Sequence, residues 1–110
     1  MANTFTRKTS QNIGATATQI GAYTVGASTT TIAIGLTCTN TTGSAITANV
    51  FLANATANTY IVANAPISAG ASLIPIGGDQ KIVMITGDKI YVQSSAATSI
   101  DAILSIMEIT

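Results

Sequence analysis

The chain has no histidine and no tryptophan, one cysteine, two prolines, and only four basic and four acidic side chains in 110 residues. Each shortage removes a class of function. Without histidine there is no imidazole base for a Ser-His-Asp triad and no His-containing metal site. A single cysteine, Cys38, forms no internal disulfide, and its place in an apolar alternation predicts a small buried hydrophobe. The charges cancel to a formal net of zero, so the electrostatic attraction that drives binding to a phosphate backbone is missing. Neither nucleic acid nor a membrane is expected as a partner. No run reaches the roughly 18 apolar residues of a spanning helix. The start, Met1 to Lys8, lacks the apolar core of a secretory signal. The chain is therefore expected to stay in the cytoplasm or to leave it inside an assembly.

What is present is apolar and uncharged. Hydrophobic residues make up 47% of the chain and charged residues 7%, against about 25% charged in an average soluble domain. Net charge near zero favours association. Thr, Ser and Asn can solvate a surface without charge, but the balance points to a subunit whose surface is largely used in contacts. The length suits one domain.

The pattern is β. Thr, Ile and Val abound, and Glu, Lys, Gln and Arg are scarce. Residues 1–14 are polar, carry Arg7 and Lys8, and read as an extended arm able to reach roughly 45 Å. Residues 15–110 read as the folded domain. Ile32, Ile34, Leu36 and Cys38 alternate with Thr31, Ala33, Gly35 and Thr37, and Ile46, Ala48, Val50 and Leu52 alternate with Thr47, Asn49 and Phe51. The Thr41-Thr42-Gly43-Ser44 turn between them predicts a β-hairpin with the even residues buried. Further strands are expected at 19–25, 58–64 (ending before Pro66), 72–76, 81–85, 89–94 and 100–109. About eight strands with regular turns give an all-β fold, a single antiparallel β-sandwich or jelly roll. In the last strand both parities are apolar: Ala102, Leu104 and Ile106 on one side, Ile103, Met107 and Ile109 on the other. Such a strand is either central or meets another subunit with one face.

The charged, glycine-rich stretch "PIGGDQKIVMITGDKI" invites a ligand reading. Gly77-Gly78-Asp79-Gln80-Lys81 lacks the spacing and the following helix of a phosphate loop. Asp79 and Asp88 stand on turns at the two ends of a strand, too far apart for a carboxylate pair, and the acids are too few for a calcium site. Gly77, Gly78, Asp79, Gly87 and Asp88 are therefore read as turn-forming residues, with glycine supplying the backbone angle and aspartate accepting turn N–H groups. Asp101 and Glu108 face opposite ways; at an interface each would need a partner such as Arg7 or Lys8 of a neighbour. Phe5, Phe51, Tyr23, Tyr60 and Tyr91 are dispersed, so no stacking platform is expected. Asn40-Thr41-Thr42 and Asn54-Ala55-Thr56 match the glycosylation pattern by chance. No catalytic, cofactor-binding or metal-binding residue is assigned, and no enzyme is expected.

The segments "MANTFTRKTSQNIG", "GGDQKIV", "TGDKIYVQSS" and "ILSIMEIT" resemble those of small virion structural proteins of tailed bacteriophages, of the kind infecting cyanobacteria and marine bacteria. The resemblance covers nearly the full length and includes no catalytic motif. It implies a β-sandwich subunit of the virion, assembled in the host cytoplasm and present in many copies. Decoration or cementing of the capsid is the expected role. The alternatives are a neck, tail or fibre adaptor and a host-surface glycan-binding module using loops 53–59 and 94–99. Expected partners are the major capsid protein or other virion proteins and further copies of the chain, a trimer among the possible oligomers. Phe5, Arg7, Lys8, Ile103, Met107 and Ile109 are the interface candidates.

Overall fold

Alternating β-branched and small residues form strands along most of the chain. The computed structural model describes residues 2–55 and 57–110. Met1 of the expected arm lies outside the described residues, as does Thr56 of the 53–59 loop and of the Asn54-Ala55-Thr56 match. The strands are β1 (Asn3–Ile13), β2 (Thr18–Gln19), β3 (Thr30–Asn40), β4 (Ile46–Ala53), β5 (Asn58–Ile67), β6 (Ser72–Ile76), β7 (Ile82–Met84), β8 (Lys89–Ser94) and β9 (Ile100–Ile109), with one helical turn at Ile20–Ala22. Sheet A has the order β1-β9-β3-β6, with β7 also paired to β3, and sheet B has the order β2-β8-β4-β5. Every pairing is antiparallel.

β6 pairs with Leu36–Thr39 and β7 with Thr31–Ala33. The two lie end to end along one edge of β3, as a single strand interrupted by the 77–81 turn. Counted so, eight strands form two sheets of four in a jelly-roll arrangement; the sandwich class is the one expected, but the set of strands differs, since β1 joins it and β6 and β7 count as one. The inner faces meet in a core that includes Leu36, Val50, Ile90, Val92, Leu104 and Ile106, all sealed from solvent. Burying such side chains contributes about 1.5–3 kcal/mol each.

The hairpin expected across Thr41–Ser44 does not form. β3 belongs to sheet A and β4 to sheet B, and β7 and β8 are divided in the same way. The consecutive pair that does form a hairpin is β4–β5, closed by Asn54 N–H donating to Ala57 O at 3.0 Å. Asn40 explains the first corner. Its buried amide donates to the carbonyls of Ser44, Ile67 and Ser68 at 2.8, 3.1 and 3.2 Å, and its Oδ1 accepts from Thr42 N–H at 2.9 Å. Backbone groups that a hairpin ladder would pair are satisfied by one side chain instead. A folded chain therefore offers no glycan acceptor at Asn40. The second corner is the Ile85–Asp88 turn. Gly87 takes φ +92° there, and the Asp88 carboxylate accepts from Ile85 N–H at 3.0 Å.

Three other expectations change. β5 runs through Pro66 to Ile67 because it is the edge strand of sheet B, where a missing N–H breaks no central ladder. Residues 19–25 give only the end of β2 and the helical turn. The segment read as an arm is β1, laid along β9 from Asn3↔Ile109 to Ser10↔Ala102. It looked like an arm because it is polar and exposed on both faces over Asn3–Arg7, which is how an edge strand overhanging the core reads.

Candidate subunit-contact face

The outer face of sheet A is the feature that the fold leaves unexplained. In β9 the buried residues Ala102, Leu104 and Ile106 face the core, so Ile103, Ser105, Met107 and Ile109 face outward. Cross-strand partners share a face. Met107 pairs with Phe5 on one side and Ile32 on the other, and Ile32 pairs with Val83. The result is a continuous apolar row, Phe5–Met107–Ile32–Val83, across four strands. Phe5 is 73% exposed and Val83 60%. Ile103 of β9 and Ile74 of β6 add exposed apolar area to the same sheet, and Ile85 follows directly after β7.

Ile32 and Ile34 were expected inside. The β3–β9 register shifts between Ala33 and Gly35, so Ile34 is the extra residue of a bulge. Before it Thr31 and Ala33 face the core; after it Leu36, Cys38 and Asn40 do. The bulge turns Ile32 and Ile34 outward. Gly35 within an alternating run was the available signal, since an isolated strand glycine marks such a bulge. The next row down, Arg7–Ser105–Gly35, is small at Ser105 and Gly35. Between the larger rows it leaves a shallow recess of about 290 Å³ lined by Phe5, Thr6, Arg7, Ile34, Ser105 and Ile106.

Of the interface candidates, the structure brings Phe5, Arg7, Ile103, Met107 and Ile109 to this one face. Lys8 is turned the other way. Its ammonium lies 5.4 Å from the centre of the Tyr23 ring, a cation–π contact. The Tyr23 hydroxyl donates to Glu108 at 2.8 Å and shares a hydrogen bond with Thr31 at 2.7 Å. Burial, with the Glu108 carboxylate adding to it, pushes the Tyr23 phenol above its usual range. Asp101 accepts from Asn12 N–H at 3.1 Å. Both acids on β9 thus find partners within their own chain, so neither needs a neighbour's Arg7 or Lys8.

The turn residues sit in turns. Gly77 and Gln80 exchange two backbone hydrogen bonds across Gly78-Asp79, with Gly78 at φ +58°. Asp88 holds its turn as expected. Asp79 does not: among the described residues its carboxylate has no partner, and Lys81 donates to the Gly78 carbonyl instead. Cys38 is fully buried, and burial pushes its thiol up to about 12.

Sequence reading missed one cluster. Phe51 pairs with Tyr91 and Tyr60 across sheet B, its ring 5.3 Å from Tyr91 in a stack and 5.1 Å from Tyr60 in a tilted contact. These positions lie far apart in sequence, and only the β8–β4–β5 register joins them. Among the described residues no group of His, Cys, Asp or Glu is placed to hold a metal ion, and no helix is long and apolar enough to cross a membrane.

No protein-family model matches the sequence, and no curated protein does. A solved structure shares its fold well enough to compare. A structure described as "Bacillus endospore appendages form a novel family of disulfide-linked pili" superposes with a TM-score of 0.55 at 17% identity, over 100% of this chain and 91% of that one. Infectious bursal disease virus, Gt strain, gives 0.46 at 10% identity over 97% of this chain. The chain spans 32% of that viral protein's length. The first is a likeness of fold alone, to the two antiparallel sheets that form this chain's β-sandwich.

Proposed function

We propose that this chain is a non-enzymatic structural subunit of a tailed-bacteriophage virion, most specifically a capsid decoration or cement protein. The observation that carries the reading is the apolar outer face of sheet A. An isolated sandwich needs apolar residues only on its inner faces. A second apolar face, with Arg7 and Asp101 as its charges among the described residues, fits a surface covered by neighbouring virion proteins. Covering it would contribute about 25 cal/mol per Å² before the cost of association. The function is mechanical: a rigid β-unit ties its neighbours together through this face. The resemblance of "GGDQKIV", "TGDKIYVQSS" and "ILSIMEIT" to phage virion proteins supports the same reading. The likeness to an endospore appendage described as a disulfide-linked pilus supports the structural part of this reading. Its disulfide linkage does not carry over, because the sole cysteine here is sealed in the core.

The test is incorporation into particles. Met107→Lys places a charge in the centre of the apolar row, where covering it unpaired costs several kcal/mol. The variant should fold normally and fail to join particles. Incorporation equal to wild type would sink the face reading. Copy number and position in the intact virion decide the finer role. Many copies spread over the shell support decoration, whereas a few copies at one vertex support a neck or tail adaptor. The aromatic row Tyr91–Phe51–Tyr60 gives a glycan-binding reading one specific foothold, because Tyr60 is 52% exposed. Glycan-array binding that is lost in Tyr60→Ala would favour it.

A further inference from the structure

The apolar face says that something covers sheet A. The distribution of charge along its edges says what. Three of the four acids are engaged within the chain: Asp88 by Ile85 N–H, Asp101 by Asn12 N–H and Glu108 by Tyr23. Asp79 has no partner among the described residues. Of the four cations, Lys8 lies over Tyr23 and Lys81 on the Gly78 carbonyl. Arg7, at the mouth of the recess, has no partner among the described residues. Lys89 is on sheet B, away from this face. Among the described side chains of sheet A, the intramolecular pairing therefore leaves one free acid and one free cation, besides the partnered groups.

They stand on opposite edges of the same sheet. Arg7 is on β1, the first edge strand; Asp79 is at the tip of the turn that interrupts β6 and β7 on the far edge. The pairing registers put them at one height. Arg7 pairs with Ser105, and Ser105 with Gly35. On the other side of β3, Ala33 pairs with Ile82 and Leu36 with Ile76. The 77–81 turn thus projects from the sheet level with Gly35, in line with Arg7. Exposed apolar residues flank both groups: Phe5 beside Arg7, and Ile74, Val83 and Ile85 along the edge that carries Asp79.

We infer that copies of this chain associate side by side, the Gly78-Asp79 turn of one seated in the Arg7 recess of the next, with Phe5 packed against the β6–β7 edge of the neighbour. This deepens the structural-subunit reading and rests on it, by naming a second copy as one of the partners. The two contact patches differ and lie on opposite edges. The contact is therefore heterologous, and it propagates into a ring if the rotation closes or a filament if it does not. A charged pair at the rim of an apolar contact fixes register and orientation more than raw affinity.

The experiment is sedimentation velocity with native mass spectrometry on the full chain over rising concentration. Wild type should self-associate beyond the dimer. Arg7→Glu and Asp79→Lys should each weaken association about tenfold, because each turns an attraction into a like-charge contact. The doubly reversed chain should recover. An equimolar mixture of the two single variants should also recover, since every junction then joins opposite charges. Single reversals that associate like wild type, or a double reversal no better than either, overturn the inference. If Met107→Lys blocks incorporation into particles while the charge reversals change nothing, the contact-face reading stands and this one falls. A wild-type chain that is monomeric at millimolar concentration and joins no particle overturns both.

Discussion

Titration of Cys38 tests whether the core is as dry as the burial pattern implies. The thiol sits on the inner face of β3, opposite Leu73 on one side and Ala102 on the other, with no exposed surface. Desolvation raises its pKa from 9.0 to about 12. At about 1.4 kcal/mol per unit, the difference is worth about 4 kcal/mol between the two protonation states. The sign follows from the proton count. Below 9.0 both folded and unfolded thiols are protonated, and nothing changes with pH. Above it the unfolded chain releases a proton that the folded chain keeps, so stability falls until the folded thiol ionises near 12. Urea unfolding of wild type and Cys38→Ala across this range isolates the effect. At neutral pH the variant should be less stable by about 1 kcal/mol, from lost packing. Wild type should then lose about 2.7 kcal/mol by about pH 11 that the variant keeps, so the two curves cross above pH 9.0. A difference between them that stays constant to that pH would refute the reasoning. The folded thiol should also resist aromatic disulfide reagents until the chain unfolds. This separates the assembly proposed for this chain from one linked through cysteines.

Asn40→Ala should destabilise the fold by about 2–4 kcal/mol, because three buried or half-buried carbonyls lose a donor at once; a loss under about 0.5 kcal/mol in urea melts would show that water replaces the amide. Gly21→Ala should cost about 1–3 kcal/mol. Gly21 is at φ +59°, and an added Cβ would lie 2.5 Å from the Lys8 Cβ, so the early sign should be faster hydrogen exchange in β1. Deleting residues 2–10 removes the β9 partner and the Ser10 hydroxyl that accepts from Gly21 N–H at 2.9 Å. The truncated chain should melt about 10 °C lower or more, whereas a detached arm would leave the melting temperature unchanged.

Strands with one unbroken parity were legible in the sequence. β8 and β9 keep their alternation from end to end, and their inner and outer residues could be read directly. β3 could not be read this way, because one extra residue at Ile34 exchanges its faces halfway along, and that exchange moved two isoleucines from core to surface. The corners were illegible for a different reason. A short polar link between two alternating runs is compatible with a hairpin and with a crossing between sheets. The choice is made by contacts that are remote in sequence, such as Asn40 with Ile67 and Ser68. Of the candidate site, Ile103, Met107 and Ile109 were visible as the second apolar parity of β9. Val83 and Ile32 were not, because the row they complete exists only through pairing of β9 with β3 and of β3 with β7.

The two outer faces of the sandwich are unequal, and that inequality bears on function more than the fold does. Sheet B presents Thr47, Asn49 and Gln93 outward, and its large outward ring, Phe51, is covered by Tyr60 and Tyr91. Apart from the half-exposed Tyr60 ring, that face is satisfied within the chain: Asn49 donates to Gln93 at 3.2 Å, and Gln93 donates to the Ala15 carbonyl at 2.8 Å. Sheet A presents Phe5 and Val83 exposed, with Met107 and Ile32 half-buried between them. Replacing one of them with a polar residue removes no core contact, so folding stability should change by no more than about 0.5 kcal/mol. Folding therefore does not account for their apolar character. The association proposed above would account for it, because the same four residues form one continuous row on the folded sandwich. On that proposal, folding builds the contact surface and a neighbour covers it.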